Sequence, residues 1–152
     1  MKAKWDQKAA EQEVLARIGT TLIQIQRTER FINACVQTLL PNKDLSKLWV
    51  GGRRPMLGPL LKQLKKHTTI AEGFGLTLET FLIERNRFIH NLEFQPGWTF
   101  LSEAGIKTAN SYLDKIERLE RKVAKAFTRF HKAYTSTRDD GVELKLEIRL
   151  SD

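Results

Sequence analysis

From Asp6 to Leu40 the chain contains no proline and a single glycine, Gly19. Apolar residues recur along it in steps of three and four: Leu15, Ile18, Leu22, Ile25, then Glu29, then Ile32, Val36 and Leu39. Only a turn of about 3.6 residues gathers such positions on one side, so the stretch reads as one long amphipathic helix. Asp6 has the chemistry of an N-cap, and Pro41-Asn42-Lys43-Asp44 that of a stop. A helix of this length would reach about 50 Å, so a bend or break is expected at Gly19-Thr20-Thr21.

Three further segments carry helical stripes and set the fold class. Pro55 suits the first turn of a second helix, with Leu57, Leu60, Leu61 and Leu64 on one face and Lys62, Lys65 and Lys66 on the other. After a loop over Thr68 to Gly75, a third helix is expected from near Leu76 to the Gln95-Pro96-Gly97 stop, with Leu78, Leu82 and Ile89 as its stripe. The last helix begins near Thr99 or Ser102 and continues to about Tyr134, striped by Ile106, Ala109, Leu113, Ile116, Leu119, Val123, Ala126 and Phe130. Together they predict an all-α, antiparallel helical bundle of four to five helices over residues 1–135.

The tail, residues 136–152, has a different period. After the turn signal Asp139-Asp140-Gly141, Val142, Leu144, Leu146, Ile148 and Leu150 alternate with Glu143, Lys145, Glu147 and Arg149, the pattern of a β-strand over 142–150. A lone strand leaves its backbone unpaired, so it is expected to pair with the tail of a second chain, a partner protein or an unrecognised segment, with pairing between chains preferred; a frayed tail is the alternative.

A chain of 152 residues can bury a core without staples. Its single cysteine, Cys35, excludes an intramolecular disulfide, and three histidines leave no Cys/His zinc pattern, so neither metal nor cofactor is expected. The segment Met1 to Asp6 has no apolar run behind its charges and no stretch is long enough to span a bilayer, which makes the cytoplasm the expected compartment. The net charge of +8 is concentrated on residues 1–54 and 99–135, a distribution suited to a polyanion through counterion release. Gly51-Gly52-Arg53-Arg54-Pro55 adds two adjacent cations on a flexible loop, read either as a phosphate contact or as a solvated linker.

The chemistry is concentrated at the end of the third helix, in Glu84-Arg85-Asn86-Arg87-Phe88-Ile89-His90-Asn91. Arg85 falls on the apolar stripe, where a charge needs a partner. Glu29, which interrupts the seam of the first helix in the same way, is one candidate; the other reading leaves Glu29 solvated on a slightly rotated helix. Asn86 and His90 are four apart and share a face, whereas Arg85 lies about 140° from His90, so only its long side chain or a second copy of the motif brings the two together. Histidine takes and gives protons near neutrality, and arginine offers phosphate oxygens a permanently charged fork. Arg87, on another face, is a phosphate contact or a solvated cation, and His67 and His131 read as surface residues.

The run Arg85-Asn86-Arg87-Phe88-Ile89-His90 resembles the signature of the HEPN superfamily (higher eukaryotes and prokaryotes nucleotide-binding), in which an arginine, often followed by asparagine, precedes a histidine by four to six residues. Met56-Leu57-Gly58-Pro59-Leu60-Leu61 looks like the short helix that precedes the motif helix in many prokaryotic members. The likeness spans about residues 7–135 and leaves the tail aside. It implies a metal-independent endoribonuclease with Arg85 and His90 catalytic, Asn86 and Glu84 in support, and Arg87, Arg53 and Arg54 meeting the substrate. Such enzymes dimerise so that two motifs line one cleft, and many are toxins of toxin and antitoxin pairs or of phage defence. The implied partners are therefore RNA, a second copy of the chain and an antitoxin protein. Some members carry a tyrosine, two residues after the histidine, that an antitoxin modifies; Leu92 stands there, so that mode of control is not expected. The alternative is a catalytically silent HEPN-like module that binds nucleotide, RNA or a partner protein as scaffold or regulator.

Overall fold

A computed structural model describes residues 5–40, 48, 51, 56–137 and 147–148. Arg53, Arg54 and Pro55 lie outside the described residues, as does most of the 142–150 segment.

Helix α1, Gln7–Leu39, runs for 33 residues without a break; of the bend or break expected at Gly19, the break does not occur. Asp6 caps it by accepting from the Ala9 N–H at 3.1 Å. Its buried seam is shifted by one position at the start: Val14 is fully buried, whereas Leu15 is 49% exposed. The shift follows from Thr21 and Thr28, two buried residues whose hydroxyls find acceptors on the last helix. Helix α2, Leu57–His67, buries Leu57, Leu60, Leu61 and Leu64, the expected face.

Helix α3, Glu72–His90, begins well before the expected start near Leu76. Gly73 and Gly75, read as loop residues, fall in its first turn, where a helix makes few internal bonds and tolerates glycine. Between them Phe74 is fully buried and packs edge to face on Phe127, ring centroids 5.8 Å apart. A single 3₁₀ turn, Leu92–Phe94, leads into helix α4, Glu103–Thr137. Ser102 accepts from the Gly105 N–H at 3.1 Å and caps α4. Gly105 is required there, since a Cβ would stand 2.3 Å from the Thr99 carbonyl oxygen.

The helices form an all-α bundle around one core, with Ile25, Ile32, Leu64, Phe81, Leu113 and Phe127 among its fully buried members. Each such side chain contributes about 1.5–3 kcal/mol relative to exposure. Helices α1 and α4 run in the same direction, because Thr21 meets Glu117 and, further along both, Phe31 meets His131. Helix α3 runs against α4, with Phe74 on Phe127 and Glu84 on Lys115. The α1–α4 seam is held by Arg17, which donates to both oxygens of Glu117 at 3.0 and 2.8 Å, to Asn110 Oδ1 at 3.0 Å, and to Asp114. Burial alone would raise the Glu117 pKa, but the hydrogen bonds from Arg17 and Thr21 outweigh it and hold the carboxyl below its usual value. The Arg17 hydrogen bond likewise holds Asp114 low.

Strand β1, Thr69–Ile70, lies in the segment read as loop and pairs in parallel with β2, Glu147–Ile148, in the register Thr69 to Glu147 and Ile70 to Ile148. Glu147–Ile148 therefore pairs with an unrecognised segment of its own chain, one of the expected partners, in place of the preferred exchange between chains. A two-residue strand carries no alternation to be read, so the sequence offered no sign of this partner. No described helix is long and apolar enough to cross a membrane.

Candidate functional site

Helix α3 turns three different surfaces to its surroundings. Its buried face is Phe74, Leu78, Phe81, Glu84 and Phe88, so the apolar stripe is carried mainly by phenylalanines; the expected Leu82 and Ile89 are only partly buried. Glu84, not Arg85, is the charge most deeply embedded in this helix.

On the flank toward α1, Arg85 donates from Nε and Nη2 to the two oxygens of Glu29, the second at 3.1 Å, and from Nη1 to Asn86 Oδ1 at 2.9 Å. The two charges that interrupt apolar seams are thus each other's partner, with side chains 22% and 19% exposed. Glu29, Arg85 and Asn86 form one wall of a cavity of about 540 Å³, closed by Arg30 of α1 and by Leu57 and Pro59 of α2. His90 does not line it.

On the flank toward α4, Glu84 Oε1 accepts from Lys115 Nζ at 2.7 Å and from Arg87 Nη1 at 3.1 Å. Its other oxygen, Oε2, is buried without a hydrogen-bond partner among the described residues. The Glu84 carbonyl accepts from the Tyr112 hydroxyl at 3.2 Å. Burial first, and the Glu84 charge second, push the Tyr112 hydroxyl up to about 12, so it stays a donor at neutral pH. Trp98 packs edge to face on the Tyr112 ring, centroids 6.2 Å apart, and ties the loop before α4 to the same cluster.

The third surface is exposed. His90 ends α3 diametrically opposite Phe81 by helical geometry, about 180° away, with Ile83, Asn86 and Arg87 beside it. Among the described residues His90 has no hydrogen-bond or ion-pair partner. Within one chain, then, Arg85 is gathered with Asn86 and Glu29, Arg87 with Glu84, and His90 with neither cluster. His131, read as a surface residue, is half-buried against Phe31, while His67 is exposed. Lys115, Tyr112 and Arg30 went unnoticed in the sequence: the first two meet Glu84 only through the α3–α4 packing, and the third reaches the cavity only because α2 closes over it.

Comparisons with protein-family models, with curated proteins and with solved structures gave no match to the chain.

Proposed function

We propose that the chain is a metal-independent endoribonuclease of the HEPN type, active as a homodimer and serving as the toxin of a toxin and antitoxin pair or of phage defence. The observation that carries this reading is the position of His90, exposed at the end of α3 with Asn86 and Arg87 within about 60° of it on the helix surface. An imidazole so placed meets solvent and substrate without first giving up an internal bond.

In the reaction, His90 of one copy takes the proton of a ribose 2′-hydroxyl. The freed oxygen attacks the adjacent phosphorus, the bond to the 5′-oxygen breaks, and His90 of the second copy protonates that oxygen. The products are a cyclic phosphate and a 5′-hydroxyl, and each proton transfer contributes about 10²- to 10⁴-fold. Dimerisation is supported by two exposed apolar side chains, Ile83 and Phe94, 53% and 74% exposed, which flank His90 along the chain. A second copy crossing near this end of α3 covers both and sets two His90 side chains on one cleft.

The test is to incubate the purified full-length chain with RNA in EDTA and to analyse the new ends. Cyclic phosphate and 5′-hydroxyl ends are expected; 3′-hydroxyl ends, or intact RNA, contradict the proposal. A second reading, the catalytically silent module, is favoured by one observation: Arg85 has every guanidinium nitrogen engaged inside the chain, beside a cavity that excludes His90. It is distinguished by intact RNA together with a stoichiometric bound partner.

A further inference from the structure

Arg85, the arginine of the motif, is already committed. Its Nε and Nη2 grip the Glu29 carboxylate at two points, its Nη1 serves Asn86, and only 22% of the side chain is exposed. To bind a phosphate in this state it must release Glu29 into a largely desolvated site, which is costly for an unpaired carboxylate. It also lies about 140° around the helix from His90.

Arg87 differs on every count. It stands one turn before His90, about 60° away on the helix surface, and its side chain is 54% exposed. Only Nη1 is engaged, by Glu84 Oε1 at 3.1 Å; Nε and Nη2, the side-on edge of the guanidinium, make no hydrogen bond to a described residue. Glu84 is itself fixed, 5% exposed and held by Lys115, so it anchors one corner of the fork and leaves the two-donor edge unused. A side-on edge is the geometry that takes two phosphate oxygens at once.

We infer that Arg87, rather than Arg85, is the catalytic cation beside His90, binding the phosphate of single-stranded RNA, and that Arg85 with Glu29 is a positioning strap. The strap fixes α3 against α1 and holds Asn86: with Oδ1 occupied by Arg85, Asn86 keeps its amide N–H groups to donate, one turn before His90. The inference rests on the nuclease reading for its cleavage readout and stands separately for phosphate binding.

The experiment compares wild type, Arg87→Ala, Arg87→Lys and the double variant Glu29→Leu/Arg85→Met, all full-length. Two quantities are read: single-turnover cleavage of a single-stranded RNA oligonucleotide, and the slope of log affinity against log salt for the 2′-O-methyl version, which lacks the attacking hydroxyl. Arg87→Ala is expected to lose about 10²- to 10³-fold in cleavage. Its salt slope should fall by about 0.7 per chain. Added guanidinium ion should restore part of the lost rate, which repair of a merely structural defect would not do, and Arg87→Lys should keep the slope while losing rate. The double variant, with both charges of the strap removed together, keeps the wild-type salt slope, since the strap contributes no phosphate contact, and loses less rate than Arg87→Ala, since only the positioning of Asn86 is given up. Wild-type slope in Arg87→Ala, or a folded double variant that no longer cuts while Arg87→Ala still does, overturns the inference. Should the wild type leave RNA intact, the nuclease reading fails and the slope alone decides: a fall upholds the Arg87 contact, and no change refutes it. Should the double variant not fold, the Arg87→Ala slope and rate decide in the same way.

Discussion

Glu29 and Arg85 meet across α1 and α3 as a two-point ion pair, each occupying a position where its own helix would otherwise place an apolar residue. The pair has consequences for stability. Loss of either partner leaves the other four-fifths buried and without its counter-charge, so Glu29→Leu or Arg85→Met should each cost about 1–3 kcal/mol. Glu29→Leu/Arg85→Met removes the desolvation of both charges and should lie within about 1 kcal/mol of wild type. Urea unfolding of the four proteins measures the coupling; strictly additive losses would contradict it.

Glu84 makes the opposite case. Its carboxylate is almost fully buried, one oxygen lacks a partner among the described residues, and the two cations serving the other oxygen are about half exposed. Glu84→Met releases Arg87 and Lys115 to solvent and removes an orphaned acceptor, so it should leave stability unchanged or raise it by about 1 kcal/mol. Lys115→Ala keeps the buried carboxylate and takes away its closest cation, and should lower stability. Thermal melts of the two variants read the difference in sign.

The α1–α4 seam sets the response to acid. Asp114 and Glu117 are both held below the usual carboxylate range in the folded chain by Arg17. As pH falls, the unfolded chain therefore takes up protons first; the stabilisation is complete above the unfolded carboxylate values, about 4, and is lost as pH drops through the lower folded ones. Arg17→Met should flatten the stability profile below about pH 5 while leaving its shape near neutrality unchanged. Urea midpoints across that range test this, and an equally steep acid limb in the variant would contradict it.

How much of this was legible in the sequence depends on range. The Asp6 cap, the reach of α1 to Leu40, the α2 face and the α4 stripe from Ile106 to Phe130 are set by neighbours three or four residues apart, and they were readable. Glu29 and Arg85 were each visible as charges out of place, and mutual pairing was one of two open readings. The phase of α3 was not readable, because Leu78 fits both a stripe through Leu82 and Ile89 and one through Phe81 and Phe88. Only contact with α4, where Phe127 and Lys115 wait for Phe74 and Glu84, decides between them. The tail announced itself as a strand, yet its partner, Thr69–Ile70, is too short to carry a period.

Ile83 and Phe94 are the exposed apolar residues on either side of His90. If a second copy covers them, Ile83→Asp should convert a dimer to a monomer in light scattering at micromolar concentration, with an unchanged circular dichroism spectrum. RNA cleavage should fall in parallel. A monomeric wild type would contradict the shared cleft.

The imidazole at the end of α3 carries both proton transfers of the proposed reaction. Wild type and His90→Ala, matched for folded fraction and concentration, are compared for RNA cleavage in EDTA under single-turnover conditions. A loss of at least about 10²-fold is the predicted result; equal rates in the two proteins would contradict it.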